Sequence, residues 1–166
     1  MKRTLVIGST GTVGHAIVEE LAKAKVPVRA ALRNPATARF PAGVETVRFD
    51  FADHSTFEPA LAGIEQLFLM APSSADPHAL VHPFLEAAAK PGRKIVLMTA
   101  MGVEYSDGSM RNIELALERS GATYVILRPN WFMDNFHTIW ADPIRQSGVI
   151  PLPAANAQTS FINSQD

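Results

Sequence analysis

The chain has 166 residues, 47% of them hydrophobic and 19% charged, with a net charge of −1 and no cysteine. That length suits one buried core and one domain, and the near-neutral charge gives no electrostatic footprint for nucleic acid or an anionic membrane. The lack of cysteine excludes disulfides, thiolate metal sites and a cysteine nucleophile, and it fits a cytoplasmic protein.

The opening MKRTLVIGSTG holds too short an apolar run for a secretory signal, and no later run reaches membrane-spanning length. Residues 4–7 read as a first strand. Val13, Ala16, Ile17 and Leu21 then recur at helical spacing. Residues 28–32 and 44–49 read as the second and third strands. Ser55, with Glu58 three places later, forms a capping-box signal for a short helix closed by Gly63. Residues 64–70 are the fourth strand. A helix follows near Asp76-Pro77, and Pro83 is expected to kink it or delay its start. Residues 94–99 are the fifth strand. Ser109 is expected to cap a helix whose face is Met110, Ile113 and Leu117 and which Gly121 ends. Residues 123–127 form a sixth strand in which Tyr124 reads as buried. Strands separated by helices imply right-handed crossovers and a parallel sheet. The fold class is therefore α/β, a Rossmann-type doubly wound sheet with helices on both faces.

VIGSTGTVG sets Gly8, Gly11 and Gly14 between a buried strand and an amphipathic helix. The backbone amides of Ser9, Thr10, Gly11, Thr12 and Val13 then have access to a pyrophosphate at the helix N-terminus. The bland alternative is a tight turn without a ligand. Arg33, at the end of VRAALRNP, stands about 20 residues past the last glycine, where an NAD-binding fold carries an acid for the ribose 2′-hydroxyl. A guanidinium there offers a forked contact to a 2′-phosphate, so NADP(H) is favoured over NAD(H). A solvated loop arginine is the other reading.

Taken together, GSTGTVG, ALRNP, FDFAD at 49–53 and LRPNWFMDNF at 127–136 resemble the NmrA-like atypical branch of the short-chain dehydrogenase/reductase superfamily. The resemblance covers essentially the whole chain. It implies one NADP(H)-binding Rossmann domain over residues 1–166, with 129–166 beginning the substrate side. It also implies Asp50 and Phe51 near the adenine, Ala71 and Pro72 along the cofactor, and Thr99 and Pro129 beside the nicotinamide. Trp131 and Phe132 would then face a small-molecule acceptor. Relatives of this kind include NADPH-dependent quinone and azo reductases and also non-catalytic, cofactor-sensing regulators, and both readings stay open.

Superfamily members with a Tyr-x-x-x-Lys pair use the lysine to poise the tyrosine as a proton donor. Here Ser109 follows Tyr105 at that spacing, and no lysine occurs after Lys94. A lysine of the isoflavone-reductase kind, expected ahead of Arg111 to Glu114, is absent too. No catalytic residue is assigned. General acid catalysis contributes about 10²–10⁴-fold, so its loss is tolerated best by electron-deficient acceptors such as quinones, whose reduced form water protonates.

His78 and His82 are four apart, but no glutamate follows His78 and no third ligand is evident, so no metal is assigned. His15 reads as a helix-surface residue. Glu114 reads as part of a solvated helix face or as a contact to a neighbouring loop. Trp131, Phe132, Met133 and Trp140 either wall a flat apolar pocket or belong to a core. SFINSQD, residues 160–166, begins as a short strand and ends on Asp166, a helix-start residue. The expectation is that the substrate-binding part is truncated, leaving apolar surface around Trp131, Phe136 and Trp140 and a tendency to self-associate.

Overall fold

The computed structural model describes residues 2–150, 152 and 158–165. The chain divides into two units, Met1–Arg128 and Pro129–Asp166.

The first unit runs β1 (Thr4–Ile7), α1 (Thr12–Lys23), β2 (Val28–Leu32), β3 (Glu45–Arg48), α2 (Phe57–Leu61), β4 (Gln66–Met70), α3 (Pro77–Ala88), β5 (Lys94–Met98), α4 (Ser109–Arg119) and β6 (Thr123–Leu127). Its six strands lie in the order β3-β2-β1-β4-β5-β6. Every neighbouring pair is parallel, with Thr4 opposite both Val28 and Gln66. This is the doubly wound Rossmann-type sheet that the alternating pattern implies. Strand order reverses between β1 and β4, and such a switch point opens a crevice at the carboxyl ends of the strands.

The strand sequences follow their places in the sheet. β1 and β2 are buried along their whole length, as apolar central strands covered on both faces should be. The core joins Leu5, Ile7, Leu67, Leu69, Ile95 and Leu97 to helix residues such as Phe84, Ile113 and Leu117. The outer strands differ. β3 is shorter than expected and largely exposed. β6 is also an outer strand, so Tyr124 is 40% exposed rather than buried.

Two expected caps take other forms. The 3₁₀ turn before α2 is capped by Asp53, which accepts from the Ser55 amide and the Ser55 hydroxyl. α4 starts after Gly108, while the Ser109 hydroxyl reaches across to Asp76 (2.6 Å) and accepts from the His78 amide. Asp76 caps α3, which starts at Pro77 without delay and continues through Pro83 to Ala88. Arg29, inside β2, is buried, and its guanidinium donates to the Pro59, Ala60 and Ala62 carbonyls and pairs with Glu45 at 2.9 Å. It thereby satisfies the carbonyls that the end of short helix α2 leaves open.

The second unit contains β7 (Trp131–Phe132), α5 (Ala141–Ser147) and β8 (Phe161–Ile162). β7 and β8 pair in parallel, Trp131 with Phe161. Trp140 is buried among aromatic rings, 5.3 Å from both Trp131 and Phe136 by ring centroid. Trp131 and Phe136 remain partly exposed. Phe161 and Ile162 form the short strand expected of SFI, whereas Asp166 lies outside the described residues. No described helix is long and apolar enough to cross a membrane.

Candidate functional site

The turn from β1 to α1 is built by its glycines in different ways. Gly8 has φ +76°, a left-handed conformation that suits glycine, and its carbonyl accepts from the Gly11 amide at 3.0 Å. Gly14 sits against that same carbonyl, leaving no room for a Cβ. At Gly11 a Cβ would meet only ordinary contacts, 3.4 Å from the Gly8 oxygen. The structure therefore requires Gly8 and Gly14 for folding. Space beside Gly11 is not needed for packing, and a close-approaching ligand would use it.

Ser9 is fully buried, and its hydroxyl donates to the Ala31 carbonyl at 2.8 Å. Its side chain thus ties the turn to β2 and is not presented to a ligand. The first helical bond runs from the His15 amide to Gly11, so the amides of Thr12, Val13 and Gly14 have no acceptor inside α1. Such amides at a helix start favour an anion.

Beside the turn lies a cleft of about 500 Å³, within the range of small-molecule sites, whose lining includes Gly8, Thr10, Arg33, Asp50, Phe51 and Pro72. These residues follow the ends of β1, β2, β3 and β4, and parallel strands bring those ends to one edge. Arg33 is exposed and forms no ion pair or hydrogen bond among the described residues. Asp50 folds back on its own loop, its carboxylate accepting from the Ala52 amide at 3.0 Å. Phe51 packs edge-on against Phe49 and Phe84. Ala71, next to Pro72 at the exit of β4, is half-buried.

Thr99 directly follows β5 at the same edge, but its hydroxyl is engaged by Glu114 at 2.6 Å. Glu114 is fully buried, which overturns its reading as part of a solvated helix face. One carboxylate oxygen takes Thr99 Oγ1 and Arg128 Nε, and the other takes Arg128 Nη2 at 2.9 Å and Arg111 Nη1 at 2.7 Å. Burial alone would raise the Glu114 pKa, but the donors from Arg128, Thr99 and Arg111 outweigh it and hold the group at about 2. The available sequence signal was a glutamate inside the Met110, Ile113, Leu117 face, with an arginine directly after the sixth strand.

Tyr105 lies on a 3₁₀ turn and is 89% exposed. The His78 and His82 rings are 5.0 Å apart, and no group of three potential metal ligands occurs among the described residues. The two histidines line a second groove of about 560 Å³, formed with Glu86, Asn112 and Arg119 on α3 and α4 and containing none of the turn residues. His15 stacks on Phe40 at the surface of α1. Pro129, Trp131 and Phe132 belong to the second unit.

A family profile described as NAD(P)H-binding matches residues 8–143. The chain belongs to that family. It is 29% identical to the NAD(P)H azoreductase of Xenophilus azovorans across 98% of this chain, but spans only 59% of that protein's length. Among solved structures, the triphenylmethane reductase of Citrobacter sp. complexed with NADP(H) shares the fold, with a TM-score of 0.82 and 22% identity over 99% of this chain and 62% of that one. The NADPH-dependent quinone oxidoreductase QOR2 of Escherichia coli, complexed with NADPH, is similar at a TM-score of 0.66 and 27% identity, over 90% of this chain and 56% of that one. This NAD(P)H-binding chain thus spans about three fifths of the length of such relatives.

Proposed function

We propose that the chain binds NADPH across the Gly8–Gly14 turn and serves an oxidoreductase that passes hydride to a small, electron-deficient acceptor of the quinone or azo type. The observation that carries this reading is the cleft itself, which gathers the glycine turn, Arg33, Asp50, Phe51 and Pro72 at the edge where strand order reverses. The residues present fit the cofactor. Gly11 leaves room for close backbone approach, the amides of Thr12 and Val13 have no helical acceptor, and an unpaired guanidinium stands at the end of β2.

In this reading Ser9, Thr10, Gly11, Thr12 and Val13 hold the pyrophosphate through their backbone, and Arg33 receives the 2′-phosphate in place of the usual acid. Asp50 and Phe51 border the adenine, Ala71 and Pro72 run along the cofactor, and Thr99 and Pro129 lie toward the nicotinamide. Trp131 and Phe132 serve the acceptor. The bound nicotinamide supplies the hydride, while the chain supplies position and electrostatics. Solvent protonates the product, since Tyr105 is almost wholly exposed and Ser109 stands where a lysine would poise it. Following NADPH absorbance with a small quinone tests the assignment: saturable binding is expected, and steady turnover selects the reductase reading. Saturable binding without turnover would replace it with the cofactor-sensing reading, and absence of binding would end both.

A further inference from the structure

Glu114 is a charged group with no exposure, and it touches three segments at once. It holds the end of β5 through Thr99, the exit of β6 through the two-pronged Arg128 contact, and its own helix through Arg111. Arg128 also lies 3.6 Å from Glu104, whose carboxylate accepts from the Gly102 amide at 3.1 Å in the loop after β5. Four hydrogen bonds on two oxygens form a fully satisfied network, the kind that locks the orientation of its members. Stability alone is a weak reason for it, since well-packed apolar residues often match or exceed a buried ion pair.

The position of this network gives it a specific consequence. A dinucleotide bound at a switch point straddles two halves of the sheet. The cleft with Arg33 and Asp50 follows β2 and β3, so the adenosine half belongs on that side. The other half of the cofactor must then extend past β4 toward the end of β5, where Thr99 stands.

We propose that Glu114 is a positioning residue for the nicotinamide half of the cofactor, acting through Thr99 and Arg128 without touching the cofactor itself. The inference rests on the cofactor reading above. Because Glu114 takes the single Thr99 hydroxyl proton, Thr99 Oγ1 has only lone pairs to offer a ligand, so the group it orients is a hydrogen-bond donor.

The test compares two probes on the 166-residue chain. NADPH reports both halves of the site, and 2′,5′-ADP reports the adenosine half alone. Glu114→Gln and Thr99→Val are each expected to weaken NADPH binding by about tenfold, in keeping with loss of a charge-assisted hydrogen bond, and to leave 2′,5′-ADP binding unchanged. Thr99→Ser, which keeps the hydroxyl, is expected to bind NADPH like the wild type. If Glu114→Gln loses the fold, Thr99→Val and Thr99→Ser decide. Unchanged NADPH affinity in Thr99→Val, or equal loss of both probes in that variant, would overturn the positioning role. A wild-type chain that binds neither probe would instead overturn the cofactor reading.

Discussion

Gly14 packs directly on the carbonyl oxygen of Gly8, so the first turn of α1 lies against the end of β1 with no space for a methyl group. Gly14→Ala should therefore push the helix off the turn and cost about 1–3 kcal/mol, as overpacking does. Gly11 is different, because a Cβ there meets only ordinary contacts. Gly11→Val should leave a folded protein that no longer binds NADPH. Thermal melts separate the two effects, and a Gly11→Val variant with normal NADPH affinity would remove the turn from the cofactor site.

Arg33 is unpaired among the described residues, so no internal partner is lost when it is replaced. Arg33→Asp should weaken NADPH far more than NADH, since a carboxylate then faces the 2′-phosphate. Titrating both cofactors against wild type and variant decides this. Equal losses would mean that the arginine does not read the phosphate.

With 89% of Tyr105 exposed, little holds its hydroxyl in one place. Tyr105→Phe should change quinone reduction by less than about tenfold, below the range for loss of a general acid. A much larger fall in turnover at unchanged cofactor affinity would identify it as the proton donor.

Folding lowers the Glu114 pKa from its ordinary 4.5 to about 2. A depressed carboxyl adds stability that is complete above the unfolded pKa and is lost as acid titrates the folded group. Glu114 should thus contribute a steep loss of stability between about pH 4.5 and 2. Denaturant melts across that window should show a shallower slope for Glu114→Gln. Parallel slopes would mean that the carboxylate is not held as the structure shows.

The sequence exposed the features that depend on neighbours along the chain. Apolar runs found all six strands of the sheet, and three glycines between a buried strand and an amphipathic helix located the turn. Features that depend on distant partners were hidden. Glu114 falls on a helical face by period, yet its burial requires Thr99 and Arg128, brought beside it only by the pairing of β5 and β6. Tyr124 sits in a run as apolar as any other, and only the strand order makes β6 an outer strand. Ser55 and Ser109 matched capping patterns, but Asp53 is the carboxylate that accepts before α2, and α4 starts after Gly108 without a side-chain cap while the Ser109 hydroxyl donates to Asp76 at the start of α3.

The central place of β1 also governs how this chain emerges from a ribosome. β1 meets β2 early, at Thr4 opposite Val28, but its other edge waits for β4, where Thr4 meets Gln66. Until that strand has been synthesised, at most the three strands β3-β2-β1 can pair, and β1 is an outer strand bare along one side, the kind of exposed edge that recruits other chains. Pairings this far apart in sequence slow folding, because the intervening loop must be closed before the contact repays it. The stretch up to residue 70 is therefore the interval in which a chaperone would matter most for this protein.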